Sequence, residues 1–316
     1  MDLHDARFAD ERRASLNRLL MGVLPSGGLG AGLATVFGAM PLLSPSDLSL
    51  FVLDRMPQLA PAPFLAEADD GVGLERVREF LTGLAGRVDP VVMSLTGPVT
   101  VGLGLRRDGV TPEAAGRRAA SDVGRRARTL VDAAHELVPD APVVVVLDEP
   151  GLANSMHPTF PMGSREITEL VDSVADGLGD EATIGVSVNG RADWAAILSS
   201  SIRFLGAPVA APLETVAVEL SAFLDRGGVI AWGAVPTNEP MGTSTDRLWR
   251  RLSELWTVLV RAGVDPVLLR ERSIITTAGD LGGFGAAQTE RAILLTQDLA
   301  ARVIRQVRGL RLSVGA

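Results

Sequence analysis

Along almost the whole chain, short runs of apolar and β-branched residues alternate with longer amphipathic stretches, a pattern few architectures can satisfy. Eight such runs are present: GLATVFGAM from about Gly32, PFLAEA from Pro63, PVVMSLTG from Pro90, PVVVVLDE from Pro142, ATIGVSVN from Ala182, IRFLGAPV from Ile202, VIAWGAVP from Val229 and SIITTAG from Ser273. Each is close to continuously apolar, as expected of strands buried on both faces of a parallel sheet. Parallel neighbours need long crossovers, and the amphipathic stretches between the runs supply them as helices. A closed barrel follows more naturally than an open sheet, because it leaves no strand edge unpaired.

The predicted fold is therefore α/β, a (β/α)8 TIM barrel with an extra N-terminal helix. A length of 316 residues suits one such domain. Residues 1–316 read as a single unit, with an N-terminal helix and lead-in turn over 1–31 and the barrel over 32–308. Helix starts are signalled by Ser44 before Pro45, by Thr111 before Pro112 and Glu113, and by the stretch from Thr243 to Asp246. The longest helices are expected over 112–138, 246–262 and 286–308, each with one apolar face and Arg and Glu opposite. The extra helix, over about 2–21, is expected to pack across the N-terminal end of the barrel or to form a homodimer contact.

Composition narrows the chemistry. The chain has no Cys and no Lys, so all 30 basic groups are Arg. Lysine Schiff bases, a P-loop lysine, thiolate nucleophiles and thiolate metal sites are thereby excluded. The formal charge is -8 and the arginines are dispersed among Asp and Glu, which argues against nucleic acid as a partner. No apolar stretch approaches the ~20 residues of a membrane span. The N-terminus, MDLHDARFADERR, is too charged for a signal peptide and too acidic for a transit peptide, so a cytoplasmic protein is expected. The partner expected is a small-molecule substrate.

In a barrel of this kind the active site forms at the C-terminal ends of the strands. Reading round those ends gives Met40, Glu67 with Asp69 and Asp70, Ser94 and Thr96, Asp148 and Glu149, Asn189, Thr237, and Asp280. The set is acidic and hydroxyl-rich, without a basic side chain for phosphate, and suits a ligand carrying an ammonium group. Asp148 and Glu149, delivered by VVVVLDEP, are the candidate catalytic pair. Neighbouring strand residues face opposite ways, so Asp148 is expected to contact the ligand and Glu149 to support the loop. Glu67, Ser94, Thr96, Asn189, Thr237 and Asp280 are candidate substrate-binding residues.

Other features have plainer readings. GGLGAG at 27–32 precedes a strand instead of joining a strand to a helix, so it reads as a flexible turn and not a dinucleotide loop. His4 and His135 fall on helices, whereas His157, in NSMHPTFPMG, lies within reach of the mouth. Trp194, Trp249 and Trp256 read as packing residues.

GAMP, SLTGPVT, LDEP, VNGRADW, GAVPT and TTAGDLGG, in that order and spacing, resemble cobalamin-independent methionine synthases, most closely the short single-barrel type. The resemblance runs over about 34–303. It implies methyl transfer from a folate-type donor to homocysteine, at a zinc ion held by a His-x-Cys pair, a Glu and a Cys. Here the His-x-Cys positions align with Val186 and Val188, the Glu falls near Ala207, the Cys aligns with Gly279, and the serine of the first motif is Ala39. No metal ligand is therefore expected. An unassisted thiol, with a pKa of ~8.5, is only a few per cent thiolate at neutral pH, so the zinc-thiolate reaction is not expected to run. By the same resemblance Asp148 would hold the amino group of an amino-acid-like ligand. Three readings follow: a zinc-independent enzyme of methyl-transfer type, a non-catalytic ligand-binding barrel, and, last, a metal-free lyase like uroporphyrinogen decarboxylase. Val186 and Val188 are expected to face the barrel interior, where the zinc would sit.

Overall fold

In a computed structural model, residues 29–41, 44–56, 58–65, 72–242 and 244–314 are described. The predicted N-terminal helix, Thr243, and Glu67 with Asp69 and Asp70 lie outside them.

Helices and strands alternate as the sequence requires: α1 (Pro45–Arg55), β1 (Ala60–Pro61), α2 (Val72–Thr82), β2 (Val91–Thr96), α3 (Pro98–Arg107), α4 (Pro112–Leu137), β3 (Val143–Asp148), α5 (Ser164–Leu178), β4 (Thr183–Ser187), α6 (Trp194–Ser199), β5 (Phe204–Pro208), α7 (Ala217–Asp225), β6 (Val229–Val235), α8 (Thr245–Arg261), α9 (Pro266–Glu271), β7 (Ser273–Thr277) and α10 (Ala286–Val314). The strands form one parallel sheet in the order β1 to β7. Caps start the helices where hydroxyls precede them. Ser44 accepts from the Asp47 amide at 3.1 Å and Ser244 from the Asp246 amide at 3.1 Å. Thr111 precedes Pro112 at the start of α4, but its side chain makes no capping bond.

The sheet differs from the eight-strand expectation at its first two members. The run from Gly32 forms an isolated parallel bridge, Ala34 with Ile275. It is tied to β7 through Thr35 N–H to the Ile275 carbonyl and Ile275 N–H to the Leu33 carbonyl, both at 3.1 Å. The second run pairs earlier than expected, at Ala60–Pro61, and again through a bridge from Leu65 to Leu95. Proline explains the interruption, since Pro61 and Pro63 have no N–H to donate to a ladder. Among the described residues no backbone hydrogen bond joins the Ala34 segment to β1, so what is seen is a curled seven-strand parallel sheet with an eighth segment on the β7 side.

Two apolar clusters define the two faces of this sheet. Leu33, Phe37, Val92, Val144, Val146, Phe204, Ala231 and Ile274 pack together on the concave side. The alternate positions, including Met93, Val145, Val186, Leu205, Trp232 and Ile275, belong to the larger core shared with the helices. Phe37 meets Phe204 edge-on with ring centroids 5.5 Å apart. Room for Phe204 comes from Gly185 on the adjacent strand, where an added Cβ would stand 2.7 Å from the Phe204 Cβ. Trp249 and Trp256 pack edge-on at 6.0 Å on α8, and Trp194 is buried, as expected of packing residues. No helix among the described residues is long and apolar enough to cross a membrane.

Candidate functional site

The concave apolar layer stops below the C-terminal strand ends, and above it the lining turns polar. A chamber of about 40 Å³ lies there, bounded by Phe37, Asp148, Ser187, Asn189, Thr276 and Asp280 together with the small residues Gly206, Gly233 and Gly279. It opens into a wider vestibule of about 980 Å³, which shares Asn189, Pro208, Gly233, Ala278, Gly279 and Asp280 with it. The chamber is the size of one or two water molecules or of one ammonium group.

Asp148 ends β3 with its side chain on the concave face, two residues beyond Val146. Its carboxylate has no hydrogen-bond or ion-pair partner among the described residues. Burial, and then the negative charge of Asp280, pushes its pKa up to about 6. Asp280 is held by its own turn, in which Gly282 N–H donates to Oδ1 at 2.9 Å. Gly38 lets Asp280 come close, since a Cβ there would stand 2.9 Å from that of Asp280. Thr276, on β7, is 2% exposed and its hydroxyl has no partner among the described residues, although it lines the chamber.

Glu149 is not brought to the chamber with Asp148. One residue further along, its side chain turns to the helical side and is fully buried. The carboxylate accepts from the Val99 amide at 2.8 Å, the Thr100 amide at 2.7 Å and the Thr100 hydroxyl at 2.6 Å, capping the N-terminus of α3. Burial pushes its pKa up to about 7, against the three hydrogen bonds that favour the charged form. Gly97 completes the arrangement, because a Cβ there would meet Glu149 Oε1 at 2.3 Å. The structure thus does not bring Asp148 and Glu149 together at the chamber: Glu149 holds a helix end.

The remaining candidates divide. Asn189 and Asp280 line the chamber, and Thr237 lines only the vestibule. Ser94 and Thr96 are buried on β2, with Thr96 in register with Asp148, but neither lines the chamber. Glu67 lies outside the described residues. His157 is exposed and contacts Thr159 Oγ1 at 2.9 Å, within its own turn.

Val186 and Val188 do not face the interior. Both are fully buried in the core shared with the helices, and the concave positions belong to Gly185 and Ser187 of β4 and to Asn189 just beyond it. The reason is phase: a one-residue slip in a strand turns every side chain to the opposite face. Ser187, which the sequence reading passed over, is therefore the chamber residue of β4. A zinc site of the methionine-synthase kind fits neither the aligned positions nor the chamber residues. Among the described residues the chamber offers carboxylate, hydroxyl and amide groups without imidazole or thiolate, and no three His, Cys, Asp or Glu side chains cluster to hold a metal. At Gly279, a Cβ would already stand 2.6 Å from Thr237 Oγ1, which leaves a cysteine no place without displacing that hydroxyl.

By sequence, no family model and no curated protein matches the chain. Several solved structures resemble the chain. One is a protein assigned as a vitamin-B12 independent methionine synthase from Listeria monocytogenes, at 10% identity and a TM-score of 0.55, covering 88% of this chain and 97% of that one. Others are an endo-β-1,4-mannanase double mutant from Cellulomonas fimi, at 14% identity, TM-score 0.48 and 91% and 74% coverage, and a mutant organophosphorus hydrolase from Deinococcus radiodurans, at 17%, 0.46, 90% and 88%. At 10% identity, the likeness to the Listeria protein shows the fold alone.

Proposed function

We propose that this chain is a barrel of the methionine-synthase type, in the methyltransferase class, which binds an amino-acid-like ligand by its ammonium group and does not run the zinc-thiolate reaction. The eighth strand is completed on this reading by the Ala34 segment. The observation that carries the proposal is Asp148, an unpartnered carboxylate at the end of a strand, in a chamber sized for an ammonium group and lined by no basic side chain. Its raised pKa reports a charge that lacks compensation, and a ligand cation would supply it. The order of the motifs and the likeness to the Listeria protein support the methyltransferase class. The donor of the methyl group would be of folate type, carried in the vestibule above the chamber.

Glu149 favours a second reading. Its engagement with α3 leaves Asp148 and Asp280 as the ionisable groups of the chamber among the described residues, a pair that suffices for binding and for moving a proton at Asp148 but activates no nucleophile. The second reading is thus a ligand-binding barrel without chemistry. Both require Asp148. Replacing Asp148 with Asn keeps its shape and removes its charge, and should weaken the binding of a primary amine such as n-pentylamine by ~1.5–3 kcal/mol in calorimetric titration. Equal affinities of the two proteins would contradict both readings. Single-turnover assays with a folate-type methyl donor then separate them, since only the first predicts a methylated product.

A further inference from the structure

The chamber and the vestibule form one continuous path with an acidic floor, made by Asp148 and Asp280. Met156, Val209, Pro212 and Pro236 give the vestibule an apolar wall. Two guanidinium groups also line it. Arg251 is engaged by Glu239, whereas the Arg191 side chain has no ion pair or hydrogen bond among the described residues.

Arg191 is held at the rim by its backbone. Its N–H donates to the Ala153 carbonyl at 2.8 Å. Gly190 before it has φ +136°, and a Cβ there would stand 2.7 Å from the same carbonyl oxygen, so only glycine lets the loop press so closely on the turn Pro150–Asn154. That turn follows directly from the strand end bearing Asp148. The loop carrying Arg191 is thus braced against the segment that carries the acidic floor. Within the chamber, the unpartnered Thr276 hydroxyl gives an incoming N–H donor a second acceptor beside Asp148.

We propose that the site selects a zwitterion, with its ammonium in the chamber against Asp148 and Thr276 and its carboxylate at Arg191, the ligand's apolar chain lying along the vestibule wall. The inference rests on the reading of Asp148 above and adds Arg191 as the specificity-determining residue. The physical case is one of charge balance. A ligand carboxylate near Asp148 and Asp280 is repelled unless a cation offsets them, and among the described residues Arg191 is the vestibule cation without an ion pair. A guanidinium also matches a carboxylate with two parallel donors.

The test compares L-norleucine, which carries both charges, with n-pentylamine, which lacks the carboxylate, by calorimetric titration of the full-length protein. The wild type should bind norleucine about tenfold more tightly than pentylamine, a partly screened charge-assisted contact. Arg191→Met should abolish that preference by weakening norleucine alone, with pentylamine unchanged. Asp148→Asn should weaken both probes, pentylamine more than norleucine, because it also removes the repulsion that only norleucine's carboxylate feels. A norleucine-to-pentylamine ratio that Arg191→Met leaves unchanged overturns the role of Arg191 while the ammonium site stands. If Asp148→Asn leaves both affinities unchanged, the ammonium site itself falls, whatever Arg191 does. Arg191 is exposed, so its replacement should leave the thermal unfolding midpoint in place, and a melt of the variant checks this.

Discussion

Asp148 and Glu149 are chain neighbours with opposite fates, because adjacent strand residues face opposite sides of a sheet. Asp148 receives the concave side and, among the described residues, no partner; Glu149 receives the helical side and three hydrogen bonds. With a folded-state pKa of about 6, above the ~3.9 of an unfolded chain, Asp148 favours folding only while protonated. Its contribution is complete below about pH 3.9 and is lost as pH rises through 6. Asp148→Asn should therefore raise the unfolding free energy at pH 8 by on the order of 1–3 kcal/mol and leave it unchanged near pH 4, as read by urea denaturation at the two pH values. That residue was legible in the sequence from its place after four valines. The phase of β4 was not, since VSVN carries apolar residues on the wrong parity for a polar chamber. The missed signal is size: Ile184, Val186 and Val188 are large and branched, whereas Gly185, Ser187 and Asn189 are small or polar. The absence of Cys makes this testable with single substitutions. Ser187→Cys should react with a small methanethiosulfonate in the native protein, while Val186→Cys should react only on unfolding. Equal labelling of the two would reverse the assigned faces.

At the scale of elements, α3 depends on a residue from another strand. Its first free amides, those of Val99 and Thr100, go to Glu149 and not to a capping residue of their own chain segment. Glu149→Ala leaves both amides buried without an acceptor, and should cost roughly 2–3 kcal/mol in urea unfolding with faster amide exchange at Val99 and Thr100. Unchanged exchange at those amides would remove Glu149 from the capping role. Gly97→Ala should act in the same direction, by driving the carboxylate out of its seat. Local chemistry made Ser44 and Ser244 readable as caps, since the acceptor lies within the segment it caps. The Glu149 cap spans 50 positions in sequence, and no local pattern announces it. The early pairing of β1 was hidden for a related reason, since the prolines around it interrupt the ladder on which a strand run is recognised.

For the whole molecule, the alternation of runs and helices specified a curled parallel sheet, and the strand ends specified where its polar chamber lies. The eighth segment is the part least visible in sequence, because only a few bonds tie it, through Ala34 and its neighbours, to β7. The concave layer that supports the chamber depends on Phe204, set between Gly185 and the edge of Phe37. Phe204→Ala should cost about 3–5 kcal/mol of stability in urea unfolding, whereas a loss below 1 kcal/mol would mean the layer is not packed as described. Above that layer the chamber has one task on this account, to hold a cation against an ionised Asp148. The most direct test is calorimetric binding of n-pentylamine from pH 5 to pH 7.5. With Asp148 titrating near 6, affinity for the wild type should rise about tenfold across this range, and Asp148→Asn should bind weakly and without pH dependence. A wild-type affinity that is flat with pH and equal to that of Asp148→Asn would contradict the account.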